Sequence, residues 1–272
     1  MRPGRLGIAA LSIVMLCLAG FANAAAPVAS APGGPVKPPE ITPEQRADGK
    51  KAAPALIAAA GLPCQLADAR HIGDTTDPKT SKPVKYYEIA CTGAMGYVLV
   101  DHGAAAPPSW ASCPDQEKTD ATGKVNGAAC FLPANLDNKA LLAPFIAQSK
   151  AQCDVTNVRG IGHGESASYF EVACANGRGF ILKTSAPPKL DQPAQMITCL
   201  AFDASSALAC KLSTSAAQLA AVDALAGQAG KSCTVKDKRY ILTAADMSNY
   251  YEVACTDGKG WVLHEGADGK LA

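Results

Sequence analysis

Arginine and glutamate recur at matching positions in three stretches of this chain, each bracketed by two cysteines. Each arginine lies six residues after one cysteine, and each glutamate lies three residues before the next. The sets are Arg70 with Glu88, Arg159 with Glu171, and Arg239 with Glu252. Such charges can form an ion pair or bind a ligand, and we favour a structural role because repeats retain the residues that define the unit. Strict alternation along the strands predicts opposite sheet faces for the two charges, unless a β-bulge intervenes.

The cysteines are the second residue type whose spacing suggests chemistry. Ten of the eleven follow the expected leader, and an even number in an exported protein indicates disulfides. The last stretch contains only Cys233 and Cys255, so these two must pair if each unit closes its own bridge. The repeat then predicts the four other bridges, Cys64–Cys91, Cys153–Cys174, Cys113–Cys130 and Cys199–Cys210. No Cys-x-x-Cys motif is present, and we predict neither a metal site nor a cofactor.

Aromatic residues provide the candidate binding surface. Tyr86, Tyr169 and Tyr250 occupy the same position in the three stretches and would form a contact row if the units align. Aromatic rows can anchor a protein partner, although these side chains could equally cover a neighbouring strand or unit. Trp110, which follows two prolines, is either a further exposed anchor or a lid over its own unit.

Catalytic chemistry has less support. The four histidines, His71, His102, His163 and His264, occupy different positions in the three stretches, so no ligand set is repeated and surface histidines are the favoured interpretation. The glycine-rich run 160–166 matches neither a phosphate-binding loop nor a nucleophile elbow. We therefore predict no catalytic residues and no enzymatic activity.

A shared pattern of three strands must position these residues. The first strand runs from a cysteine to the repeated arginine, and a polar loop then leads to the second strand, which carries the glutamate. The second strands are 86–91, 169–174 and 250–255, and the third strands begin at Gly96, Gly179 and Gly260. Asn176-Gly177 and Asp257-Gly258 favour tight hairpin turns. Alternation directs Tyr87, Ile89 and Cys91 toward a helix and Glu88 to the opposite face.

A helix is expected before each set of strands. The clearest is Ser215 to Ala229, which Thr214 can cap and in which apolar residues recur at helical spacing. Thr42 and Gln45 indicate the start of the first helix. Pro54 and Pro144 predict that the first two helices are split or kinked.

Together these patterns predict an α+β fold. We expect three tandem repeats, each a helix plus an antiparallel three-stranded sheet, stapled by disulfides. The expected units are 42–132, 133–212 and 213–272. A flexible tether rich in alanine and proline, 25–41, would precede them.

The amino terminus indicates export. Two arginines precede an apolar run that ends in Ala22-Asn23-Ala24, so residues 1–24 are predicted to be a cleaved signal peptide and the mature protein periplasmic or secreted. Cys17 follows a leucine rather than a small residue, which argues against a lipid anchor. We expect no transmembrane span after cleavage. Removing the leader leaves 23 basic and 24 acidic residues without a basic run, so we expect no nucleic-acid partner.

The leading functional hypothesis is an exported, non-enzymatic repeat protein that binds another macromolecule, either another protein or a component of the cell envelope. Stacked repeats support it because they create extended binding surfaces. The alternatives are a structural or stress-resistance envelope protein without a specific ligand, and a hydrolase whose site is not recognised.

Overall fold

The computed structural model describes residues 38–77, 80–118, 124–149, 151–230 and 232–272. The predicted signal peptide and most of the predicted tether lie outside these residues. Within them the chain forms four α-helices and eleven β-strands. The helices are α1 (Pro43–Ala59), α2 (Asn138–Gln148), α3 (Ser215–Ala220) and α4 (Val222–Gln228). The strands are β1 (Leu66–Thr76), β2 (Pro83–Cys91), β3 (Tyr97–Asp101), β4 (Ser109–Ser112), β5 (Val155–His163), β6 (Ala167–Cys174), β7 (Gly179–Ser185), β8 (Gln195–Thr198), β9 (Val235–Thr243), β10 (Asn249–Cys255) and β11 (Gly260–Glu265).

The strands form three antiparallel sheets in which neighbours along the chain are neighbours in space. The first sheet contains β1 to β4, the second contains β5 to β8, and the third contains β9 to β11. The mixed α+β class predicted from the sequence is therefore confirmed. The expectation of three strands is wrong for the first two sheets, because β4 and β8 pair with edges that would otherwise expose unpaired backbone groups.

The helices differ from expectation in where they are divided. Thr42 and Gln45 form the predicted capping box of α1, with Gln45 N donating to Thr42 Oγ1 at 3.2 Å and Thr42 N donating to Gln45 Oε1 at 2.9 Å. Neither Pro54 nor Pro144 splits its helix. Instead the helix expected over 215–229 is divided into α3 and α4, although the linking residue keeps right-handed helical dihedral angles.

Two hydrophobic cores hold the sheets. One cluster contains residues of α1, α2 and the first two sheets, so these sheets share a continuous core. Tyr87 and Ile89 lie in it beside Leu56 and Ile57 of α1, as alternation predicts. The third sheet has a separate and smaller cluster, made of Val222, Leu225, Ala226, Tyr251, Val253 and Leu263.

A buried turn joins the first sheet to the second. Asp115 follows β4 and its Oδ2 accepts a hydrogen bond from Ser112 Oγ at 2.6 Å. Its Oδ1 lies against Gly160 of β5, where a Cβ atom would stand 2.2 Å away. Burial raises the pKa of the Asp115 carboxyl, and the hydrogen bonds from Ser112 oppose part of that effect.

A buried ion pair joins the second sheet to the third. Arg178 lies in the turn between β6 and β7, and its Nη2 donates to Glu265 Oε2 at 2.6 Å, while its Nη1 contacts Glu265 Oε1. Glu265 is completely buried and also accepts from the hydroxyl of Tyr251 at 3.0 Å. Burial raises the pKa of the Tyr251 hydroxyl, and the negative charge of Glu265 adds to the effect.

Five disulfides close the chain, and they are the pairs expected from the sequence. They join Cys64 to Cys91, Cys113 to Cys130, Cys153 to Cys174, Cys199 to Cys210, and Cys233 to Cys255. This density of disulfides is typical of proteins that fold in an oxidising compartment. Among the helices in the described part of the chain, none is long and apolar enough to cross a bilayer.

Candidate functional site

A β-bulge near the start of each sheet brings the repeated arginine and glutamate together. The register between the first two strands shifts by one residue after Leu66, Val155 and Val235. As a result Arg70 pairs directly with Glu88, and the equivalent residues pair in the other sheets. The opposite faces expected from strict alternation are therefore wrong, since each bulge moves the arginine onto the face of its glutamate.

In the first two sheets a later part of the chain lies over this ion pair. We call residues 129–135 the first covering segment and residues 209–213 the second covering segment. Each begins just before the second cysteine of the bridges Cys113–Cys130 and Cys199–Cys210. The bridges therefore hold the covering segments close to the ends of β4 and β8.

The first covering segment satisfies the ion pair with backbone groups. Arg70 Nε donates to Glu88 Oε2 at 2.6 Å, and Arg70 Nη2 donates to the carbonyl oxygen of Ala129 at 2.8 Å. Glu88 also accepts from the backbone N–H groups of Phe131 and Leu132, at 2.8 and 2.7 Å. The side chains of Arg70 and Glu88 are 3% and 0% exposed, so these bonds compensate a fully desolvated charge pair.

The second covering segment repeats this arrangement. Arg159 Nε donates to Glu171 Oε2 at 2.6 Å, and Arg159 Nη2 donates to the carbonyl oxygen of Ala209 at 3.0 Å. The N–H groups of Lys211 and Leu212 donate to Glu171 Oε1 at 2.9 and 2.6 Å. One carbonyl and two consecutive N–H groups thus bind the pair in both sheets, and in the first sheet Asn135 Nδ2 also donates to Glu88 Oε1 at 2.9 Å.

The third sheet has the same ion pair without a cover. Arg239 Nε donates to Glu252 Oε2 at 2.6 Å, the distance found in the other two pairs. The two side chains are 73% and 47% exposed. Within the described residues, Glu252 accepts hydrogen bonds only from Arg239, so its other acceptor positions face solvent.

The neighbours of this pair are exposed as well. Val262 lies opposite Glu252 in the register of β10 and β11 and is 62% exposed. The residues at the same place in the first and second sheets, Val98 and Ile181, are 4% and 0% exposed. Ala254 is likewise exposed.

A glycine at the start of each third strand, or directly before it in the case of Gly96, shows how close the covering segments come. A Cβ atom on Gly96 would stand 2.0 Å from the side chain of Asn135, and one on Gly179 would stand 1.8 Å from Ser213 Oγ. On Gly260 a Cβ atom would meet a single strand carbonyl oxygen at 3.5 Å, an ordinary contact. No covering segment therefore lies close to Gly260, whereas one packs against the bare Cα of both Gly96 and Gly179.

We call Arg239, Glu252, Ala254, Gly260 and Val262 the open face. It combines a guanidinium that can still donate and a carboxylate that can still accept with a small apolar surface beside them. This arrangement can bind a segment of polypeptide backbone, which carries both a hydrogen-bond acceptor and donors.

The outer edge of the third sheet is also largely unpaired. In the first two sheets this edge is covered along four residues by β4 and β8. Within the described residues, the edge of β11 carries only an isolated bridge between Glu265 and Leu271 and a bond from Ala272 N to the carbonyl oxygen of His264 at 2.8 Å. The remainder of β11 can accept another strand.

An apolar pocket of about 220 Å³ lies between this edge and α4. Its walls include Ala226, Ala229, Trp261, Leu263 and Leu271. In the first two sheets the fourth strand places a large apolar side chain at the corresponding position. Those side chains are Trp110, opposite Leu99, and Met196, opposite Leu182.

The structure gives the predicted aromatic residues different surroundings. Tyr86, Tyr169 and Tyr250 are all half-buried. Tyr250 stacks on His264, with ring centroids 4.5 Å apart, and by alternation it shares the face of Glu252. Trp110 is half-buried and packs edge-on against Tyr97 of its own sheet.

His163 of β5 belongs to the contact between the first two sheets, because Trp110 stacks on it with ring centroids 3.9 Å apart. Two other histidines contact residues that could take part in catalysis. His71 Nε2 lies 2.7 Å from Asp74 Oδ1, and His102 Nε2 lies 3.0 Å from Ser109 Oγ. Among the described residues no carboxylate is hydrogen-bonded to His102, so the serine–histidine pair there lacks the orienting group of a triad.

Glu88 and the sulfur atoms of Cys113 and Cys130 lie within 4.8 Å of one another, as do their counterparts in the second sheet. These sulfur atoms are bonded in disulfides, and metal coordination by cysteine requires the thiolate. We assign no metal to either cluster.

The open face contains residues that sequence reasoning did not select. Val262 and Gly260 carried a usable signal, because alternation places Val262 on the face of Glu252 and the glycine recurs in all three sheets. The covering segments were recognisable only as Phe131-Leu132 and Lys211-Leu212, which follow matching cysteines.

Comparison with known proteins finds no family model that matches this chain, and no curated protein or solved structure with significant similarity to it.

Proposed function

We propose that this chain is an exported, non-enzymatic protein that binds another protein through the open face of its third sheet. One observation carries the proposal. The same arginine–glutamate pair, with the same 2.6 Å bond, is covered by the chain in two sheets and exposed in the third. The exposed pair therefore offers a polypeptide the same kinds of donor and acceptor that the covering segments bind in the other two sheets.

Several features support an organisation in repeats, which we include in the proposal. Each sheet follows at least one helix along the chain and has the same bulge, the same ion pair, and the same spacing of the arginine and glutamate from the bracketing cysteines. The units proposed are 42–132, 133–212 and 213–272. A signal peptide over 1–24 and a tether over 25–41 would place them in the periplasm or outside the cell, where the disulfides are stable.

The binding energy would come from the groups exposed on the open face. An exposed ion pair contributes little to the stability of the free protein, so folding alone gives no strong reason for this pair. When a partner removes water, hydrogen bonds to the charged Glu252 become stronger because the local dielectric constant falls. The exposed Val262 adds apolar area to the same contact.

Photocrosslinking in the native host tests the proposal. A photoreactive amino acid replaces Val262 in the tagged, exported protein, and crosslinked partners are identified by mass spectrometry. We expect a partner protein whose recovery is lost when Arg239 and Glu252 are both changed to alanine. The same photoreactive residue at Leu190, which is 41% exposed and lies between β7 and β8, provides the matched control.

The two outcomes separate the proposal from its main alternative. A partner crosslinked at 262 but not at 190, and lost in the double alanine variant, supports binding through the open face. Equal crosslinking at both positions, or none at 262, contradicts it and favours a structural envelope protein without a specific ligand. The variants must first give the same circular dichroism spectrum and thermal unfolding midpoint as the wild type.

A further inference from the structure

The geometry points to the chemical class of the partner: an extended strand with a large apolar side chain, followed by a disulfide-closed loop that returns two consecutive backbone N–H groups to Glu252. This inference rests on the proposed function and specifies what the open face binds. It assigns three contacts on the partner, one to the ion pair, one to the edge of β11 and one to the apolar pocket.

The first contact follows from the covered ion pairs. In each, the glutamate accepts from two N–H groups that follow a cysteine, and the arginine donates to the carbonyl oxygen of the residue before that cysteine. Arg239 Nε makes the same 2.6 Å bond to Glu252, and its Nη2 lies 2.5 Å from Glu252 Oε2. A turn of Nη2 toward the partner's carbonyl oxygen lets the pair take the same three bonds. Proline cannot donate from its backbone nitrogen, so the partner has no proline at either donor position.

The second and third contacts follow from the edge of the sheet. A strand paired with β11 places one side chain opposite Leu263, on the face of the apolar pocket. Tryptophan and methionine occupy this place in the first two sheets. The pocket of about 220 Å³ has room for such a side chain, and the bare Cα of Gly260 leaves space for the chain that follows the strand.

The occupant belongs to another protein rather than to a second copy of this chain. In a second copy, the two segments of this class are already bound to their own sheets. Phe131 and Leu132 are 2% and 0% exposed, and Lys211 and Leu212 donate to Glu171. Releasing either segment would leave a buried glutamate without its donors, which is costly.

A synthetic peptide tests this class directly. The probe is the sequence 195–213 of this chain, closed by the disulfide between Cys199 and Cys210, because it contains β8 and the second covering segment. It is titrated into the full mature protein and followed by isothermal titration calorimetry and by amide NMR. We expect saturable binding, with shifts concentrated at residues 252 and 260–263.

Matched variants assign each contact. A probe N-methylated at Lys211 and Leu212 keeps its side chains but loses both donors, and we expect at least about tenfold weaker binding, since each bond to a charged group is worth roughly that factor. Replacing Met196 by serine in the probe is expected to weaken binding by a similar factor. In the protein, Gly260→Val is expected to abolish binding, because the valine side chain fills the space beside β11 that the probe would occupy.

The results that overturn the inference are distinct from those that overturn the proposed function. Absent binding, equal affinity of the methylated probe, or shifts that map to other sheets would overturn the peptide class. If photocrosslinking at 262 still captured a partner, the proposed function would stand. Concentration-dependent dimerisation that Gly260→Val abolishes would instead identify a second copy as the occupant and overturn this inference.

Discussion

Arg178 and Glu265 form a buried, two-pronged ion pair between the second sheet and the third. The arginine is 12% exposed and the glutamate is fully buried, and Tyr251 donates to the same carboxylate. Arg178 also lies over the ring of Phe180, 5.2 Å from its centroid. Since the third sheet has its own small hydrophobic core, this pair is a main polar tie to the rest of the protein.

Changing Glu265 to glutamine should loosen the third sheet selectively. The variant leaves Arg178 buried without its counter-charge, and breaking a buried pair in this way costs about 3 to 5 kcal/mol. We expect hydrogen exchange to accelerate in β9, β10 and β11 and to stay unchanged in β1 to β8. Uniform acceleration across all sheets would show that the three sheets unfold as one cooperative unit.

The same substitution should have unequal effects on the repeated glutamates. Glu88→Gln leaves Arg70 buried and should cost about 3 to 5 kcal/mol of unfolding free energy. Glu252→Gln acts on an exposed pair and should cost less than about 1 kcal/mol. Urea denaturation of both variants measures the difference. Similar losses of unfolding free energy at the two positions would show that the covering segment is not the reason why stability depends on Glu88.

Alanine at the repeated glycines should separate the covered sheets from the open one. Gly96→Ala and Gly179→Ala force atoms into the covering segments and should destabilise by about 1 to 3 kcal/mol. Gly260→Ala meets an ordinary contact and should change stability by no more than about 0.5 kcal/mol. Thermal unfolding midpoints provide the comparison. A cost at 260 equal to that at 96 would indicate a backbone requirement shared by all three.

Asp115 should make stability depend on pH in a predictable direction. Burial raises its pKa above the ordinary value of 3.8, so the folded state holds the proton more tightly than the unfolded state. The resulting stabilisation is complete below the unfolded pKa and is lost as pH rises through the folded pKa. Asp115→Asn does not titrate. We therefore expect the unfolding free energy of the wild type, relative to this variant, to fall as pH rises from the unfolded pKa toward neutrality.

Urea titrations of both proteins across that range test this expectation. A difference that stays constant with pH would show that the Asp115 carboxyl titrates normally. A difference that grows with pH would show that the Ser112 hydrogen bonds outweigh burial, since they favour the ionised form.

The three core strands of each sheet could be predicted because their signals are local, and the disulfides because the cysteine pattern recurs, although the bonded cysteines are 11 to 27 residues apart. Hairpin dipeptides act within a few residues, and Gly177 and Gly258 adopt the left-handed φ values of 81° and 82° that such turns favour. The contact between Arg70 and Glu88 could not be predicted, because alternation has no means of locating a bulge.

Burial of the charges was harder still to predict. Glu88 and Glu252 have nearly identical neighbours in sequence, yet only Glu88 is covered, by residues 43 and 44 positions further along the chain. The short strands β4 and β8 were missed for a related reason. Four residues are too few for a period to emerge, and their pairing depends on the exposed edge that they cover.

The delayed covering of the ion pairs has a consequence for the order of folding. Each hairpin closes between neighbouring strands, whereas the donors to Glu88 and Glu171 come about 40 or more residues later in the chain. Contacts between distant residues form late because more chain entropy is lost in making them. We therefore expect the first two sheets to pass through a stage in which their charges still face water, as the charges of Arg239 and Glu252 do in the folded third sheet.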